Sequence, residues 1–133
     1  MRWLLALAVL VSPAAAAECF EGRPDAITVK SWAPSAKESL IGEPVLVRYV
    51  LNNALDKSIR MIDASVFFDD VLGKHIGGYE VEPDVAAVAG GDFEVEGTYL
   101  GMTRLLDANP EDILVSICTK AVVYGDGTTE TFE

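Results

Sequence analysis

Along several stretches of this chain apolar and polar residues alternate one for one, the period of a strand with one buried face. In VLVRYVLNN, Val45, Val47, Tyr49 and Leu51 fall on one side and Arg48 and Asn52 on the other. In IRMIDASVFF the even positions Ile62, Ala64, Val66 and Phe68 make an apolar stripe, with Asp63, Ser65 and Phe67 opposite. FEVEGTYL sets Phe93, Val95 and Tyr99 against Glu94, Glu96 and Thr98. The longest run, ILVSICTKAVVY, reads as a central strand with Ile113, Val115, Ile117, Ala121 and Val123 toward the core and only Thr119 polar among them. ITVKSW, HIGGYEVE and TTETF complete a set of about seven strands, the first ended by the region from Pro34 to Lys37.

Turn chemistry separates these stretches: Gly42-Glu43-Pro44, NNALDK, Gly90-Gly91 and Gly125-Asp126-Gly127. GMTRLLDANPED is the least strand-like part, predicting a crossover between sheets with one helical turn over Thr103 to Leu106 before the Asn109-Pro110 break. Many short strands, one crossover and no long amphipathic helix predict an all-β fold, an immunoglobulin-like antiparallel β-sandwich.

FFDDVLGKHIG concentrates chemistry-bearing residues, and it first has to be read as a turn. Asp at the first position and Gly at the fourth suit a type I turn, so Asp70 and Gly73 predict a hairpin in which the Asp70 carboxylate accepts turn amides. His75 is the sole histidine, which leaves no multi-histidine metal site. With no G-x-S-x-G elbow either, the chain offers no catalytic residues, and the expectation is a protein that is not an enzyme, without metal or cofactor. The acids Glu80, Glu82 and Asp84, and Glu94 and Glu96, line strand faces. If those strands were neighbours the carboxylates would repel, so either they lie apart or a cation sits between them. A calcium or small-ligand protein using these faces, or the crossover, is therefore the alternative to a binding module.

Three further features set the compartment. MRWLLALAVLVSPAAAA has one basic residue, an apolar run and small residues at Ala15 and Ala17, the layout of a signal peptide over 1–17 with the domain over 18–133. Glu18 argues against lipid attachment at Cys19, so no membrane anchor is expected and the domain is periplasmic or secreted. The net charge is −11, about −12 once Arg2 is lost, which disfavours nucleic acid and anionic membrane surfaces. In an oxidising compartment Cys19 and Cys118, the only cysteines, are expected to form a disulfide.

The stretches LNN, FFDD with its following LG, GGDF and NPEDILVSICTKAVVYGDGTTETF resemble small exported bacterial domains of the FxLYD-like type, with Phe67, Phe68, Asp70 and Gly73 matching in kind. The resemblance implies a β-sandwich and no catalytic residues. Alternation also leaves an apolar set on the outer side of the last long strand. Leu114, Val122 and Tyr124 lie there beside Cys118, with Phe67 joining from the neighbouring strand, and a disulfide would draw Phe20 across them. Such a face needs a cover. The expectation is a non-catalytic binding or adaptor module that meets an envelope protein partner through a sheet face or edge strand.

Overall fold

The strict alternation from Val45 to Asn53 gives a strand buried on one side only, and every other element is arranged around that side. In the computed structural model, which describes residues 19–133, eight strands form: β1 (Ile27–Ala36), β2 (Val45–Asn53), β3 (Ile59–Asp70), β4 (His75–Glu80), β5 (Asp84–Ala87), β6 (Asp92–Tyr99), β7 (Ile113–Tyr124) and β8 (Thr129–Thr131). A short helix α1 (Arg104–Asp107) and a 3-10 turn (Pro110–Asp112) lie in the crossover from β6 to β7. The expected leader, 1–17, lies outside the described residues.

One sheet has the order β1-β2-β6; the other has β4-β3-β7-β8, with β5 also paired to β3. All pairings are antiparallel. This is the two-layer Greek-key arrangement of an immunoglobulin-like sandwich. Phe68, wholly buried, sits where the layers meet. The Trp32 ring meets it edge-on at 5.6 Å and Tyr49 lies at 6.3 Å, so β1, β2 and β3 share one aromatic contact. Tyr79 of β4 stacks on Tyr99 of β6 at 4.0 Å and joins the two sheets along the opposite flank. The Tyr99 hydroxyl lies 2.9 Å from that of Tyr49. Burial raises the pKa of both phenols, so each stays a neutral hydrogen-bonding group.

Three expectations are corrected. Pro34 does not end the first strand, which runs to Ala36. As β1 lies at the end of its sheet, the missing amide of a proline costs no ladder bond there. The strand β5 is additional to the expected set, since four residues with two alanines carry little period.

The third correction concerns β7. Ile113, Ile117 and Thr119 face inward as expected, but so do Val122 and Tyr124, which were assigned to the outer face. The register explains it: Asp63 pairs with Ala121 and Ala64 with Thr119, so Lys120 is an extra residue in β7. A bulge of this kind reverses which side each later residue faces. Ala121 and Val123, expected in the core, therefore point outward, while Val122 and Tyr124 are buried. Bulges at Lys30 in β1 and Arg60 in β3 do the same. All three inserted residues are cations, which tolerate the outward position.

Candidate interaction surfaces

The disulfide expected between Cys19 and Cys118 is present. It pins the amino-terminal segment to the middle of β7, where two backbone bonds between Arg23 and Thr119 continue the ladder that β8 begins. Gly22 makes this approach feasible. Its φ is +88°, and a Cβ there would lie 2.4 Å from the Thr119 carbonyl oxygen, closer than any side chain allows. Lys120 pairs with Glu21 at 3.0 Å, and the Arg23 guanidinium lies 5.1 Å from the Phe132 ring centre.

Of the residues expected to make an apolar outer face, the structure groups Phe20 and Phe67 with Cys118, Ser65 and Lys120 around a small depression of about 140 Å³. Phe67 rests on β4 because Gly78 is bare: a Cβ at Gly78 would meet the Phe67 ring at 2.6 Å. Next door, Gly77 leaves room on the inner side for the Met102 sulfur. The Gly-Gly pair in HIGGYE thus accommodates one large side chain on each face of the sheet. Phe20 itself is fully exposed, so it does not shield the patch. Leu114 is partly exposed on the same side of β7, whereas Val122 and Tyr124 are lost to the core.

What replaces them is a larger apolar depression beside it, about 310 Å³, lined by Met61, Val81, Pro83, Ala121 and Val123 and rimmed by Asp63 and Glu80. Ala121 and Val123 were expected in the core because they follow the phase reversal at Lys120; Met61 stands on the outer side of β3, as the alternation from Ile62 to Phe68 implies, but was not singled out. In β3 a cation, Arg60, on the otherwise apolar even stripe was an available signal, whereas Lys120 falls where a polar residue is expected and gives none.

The hairpin expected at Asp70 and Gly73 is formed. The Gly73 amide donates to the Asp70 carbonyl at 2.9 Å, and Gly73 has φ +85°. The Asp70 carboxylate is nearly buried and accepts from the amides of Leu72 and Lys74 at 2.9 Å and from Arg104 Nη2 at 2.8 Å. One carboxylate therefore ties the β3–β4 hairpin to the crossover. The Lys74 amide and then the Arg104 guanidinium hold its pKa below the ordinary carboxyl value. Asp92 is lowered by Asn52 and Lys30, and Asp126 falls from 3.8 to about 2 through the Thr128 hydroxyl and amide, with Lys57 beside it. A carboxyl whose folded pKa lies below its unfolded value stabilises the fold above the unfolded value and ceases to do so as pH falls through the folded one. The melting temperature is thus expected to be nearly flat from roughly pH 8 to 5 and to fall between about pH 4 and 2. Asp70→Asn should lower the neutral-pH melting temperature and flatten that acid limb, which a series of thermal melts would show.

The acidic segments belong to different sheets but come together at one side of the sandwich, where Glu82 and Asp84 line a broad depression with Glu94 and Glu96. Glu80 belongs to the five-stranded sheet and Glu94 and Glu96 to the three-stranded one. The latter's carboxylates have neighbours of their own: Arg48 lies 3.6 Å from Glu96, and Lys30 lies 3.0 Å from Asp92 at the end of the same strand. Among the described residues no three His, Cys, Asp or Glu side chains converge as a metal site would require. His75 Nδ1 contacts Asp69 at 2.9 Å on the exposed side of the hairpin.

Comparison with protein families and with curated proteins finds no match for this chain, and the Leu-Tyr pair that names the FxLYD type is absent from it. Among solved structures the chain is similar to target SoR45 of the Northeast Structural Genomics Consortium, at 11% identity and a TM-score of 0.40, over 83% of this chain and 84% of that one.

Proposed function

We propose that the domain is an exported, non-catalytic binding module of the FxLYD-like kind, which engages a protein of the cell envelope through the outer face of its five-stranded sheet. The observation that carries this reading is the apolar depression around Met61, Ala121 and Val123. A sheet face turned to solvent normally carries polar residues, and a contiguous apolar hollow with a polar rim is the form an interaction site takes. The disulfide agrees with life in an oxidising compartment, and among the described residues no helix is long and apolar enough to cross a membrane. The calcium or small-ligand alternative has the depression shared by Glu82, Asp84, Glu94 and Glu96 to draw on, but among the described residues no three of those side chains converge as a metal site would require, and Glu96 already faces Arg48.

Met61→Asp tests the proposal. Met61 is exposed, so the variant should melt within about 3 °C of the parent, while retention of an envelope protein on the immobilised domain should fall about tenfold or more, as one buried charge at an interface commonly causes. Equal retention by both proteins would remove this face from consideration.

A further inference from the structure

The large aliphatic side chains left in water are concentrated at one end of the sandwich. Leu40, Ile41, Val71, Leu72, Leu100 and Leu106 are all exposed, Leu40 and Leu72 almost wholly at 106% and 92%. They belong to three connections: residues 37–44 between β1 and β2, 71–74 between β3 and β4, and 100–112 between β6 and β7. Register puts these side by side within each sheet, because Val45 pairs with both Ala36 and Tyr99, and Asp70 with Ile113. Direct contacts join them across the sheets. The Val71 amide donates to the Asp112 carbonyl, the Tyr79 hydroxyl to the Leu100 carbonyl, and Arg104 to Asp70. A side chain of Leu100 lies 3.2 Å from where a Cβ on Gly42 would be. At the opposite end, the connections at 54–58, 88–91 and 125–128 expose one large aliphatic residue, Val88.

The three connections share a device. Ile41 precedes Gly42, Leu72 precedes Gly73 and Leu100 precedes Gly101, and those glycines have φ of +70°, +85° and +73°. A left-handed glycine reverses the chain sharply, leaving the aliphatic side chain before it at the turn and out of the core. Solvation alone would select polar residues at such positions.

Around these tips stand exposed carboxylates at Glu38, Glu43, Asp107, Glu111 and Asp112, against two exposed lysines, Lys37 and Lys74; Arg104 is occupied by Asp70. We infer that this loop end is a second interaction surface, separate from the Met61 face, which seats its aliphatic tips in an apolar depression on a protein whose rim is basic. Charge complementarity selects this occupant. A second copy of the chain would bring the same ring of carboxylates against itself. An anionic bilayer would repel them, and the tips lack the tryptophan and tyrosine that favour a membrane interface.

The test places a photoreactive side chain at Ile41, at Leu72, and at Val88 as the opposite-end control, in the full chain expressed in its native cells. The expected result is one discrete adduct at Ile41 and Leu72 and none at Val88. The captured peptide should contain lysine or arginine, and the yield should drop about fivefold in the Glu43→Gln, Asp107→Asn double variant and at high salt. Met61→Asp should leave this adduct in place, so the two surfaces fail independently. No adduct, an adduct at twice the mass of the chain, a captured peptide without basic residues, or co-sedimentation with phosphatidylcholine–phosphatidylglycerol vesicles that Leu72→Asp abolishes would each overturn the inference.

Discussion

Replacing Cys19 and Cys118 by serine is expected to lower stability by about 4 to 5 kcal/mol, which in a domain of this size corresponds to a fall in melting temperature of roughly 15 to 25 °C. The bridge joins residues 99 apart in sequence, so it closes most of the described chain into a loop and removes much of the freedom of the unfolded state. In the folded state little else depends on it, since Arg23, Glu21 and Gly22 have their own contacts with β7 and its neighbours. The loss should therefore arise mainly from the unfolded chain, and that gives it a signature. The denaturation midpoint falls while the slope m rises, because the uncrosslinked chain exposes more surface on unfolding. Reductant should convert the parent protein to the behaviour of the variant. Identical melts with and without reductant would show that the bridge does not hold the fold.

Phe68→Ala is expected to cost about 3 to 5 kcal/mol. Phe68 is completely buried, and its ring is the shared neighbour of Trp32 and Tyr49, so its removal leaves a cavity bounded by both sheets. It also lies two residues before Asp70, whose carboxylate organises the hairpin and the crossover. Loss of the ring should thus loosen the loop end as well as the core, seen as faster amide exchange at Leu72 and Lys74. Phe68→Leu keeps most of the volume and should cost less than half as much. Equal costs for the two substitutions would mean that the ring is not packed as described.

The layers of the fold were legible wherever alternation was unbroken. β2 and the Ile62–Phe68 part of β3 bury the residues their pattern designates, and the Asp70–Gly73 turn follows from two residues with well-defined roles. The apolar face was legible as a face but only partly in its membership. Phe67 and Leu114 precede the bulge in β7 or lie opposite it and were placed correctly; Val122 and Tyr124 come after it and were not. No local propensity identifies Lys120 as the inserted residue, because its insertion is settled by pairing with β3, a long-range contact. The loop end was missed for a different reason. Turn segments were read for their glycines and prolines, and the aliphatic residues beside those glycines, at Ile41, Leu72 and Leu100, passed as incidental.

The bulge at Lys120 also makes the end of β7 tolerant of a shortening but intolerant of a slip. Lys120 has no partner in β3, so a chain lacking it would alternate without a break, Thr119 inward, Ala121 outward and Val122 inward, and Val122 and Tyr124 would keep their places in the sandwich. If Lys120 instead took a place in the ladder opposite Asp63, Ala121 and Val123 would turn inward and Val122 and Tyr124 outward. Small side chains would then stand where a phenol had been, and a tyrosine would project from the outer face. In this domain a slip of one residue acts as two simultaneous lesions, one in the interior and one on the surface, where a substitution would make only one.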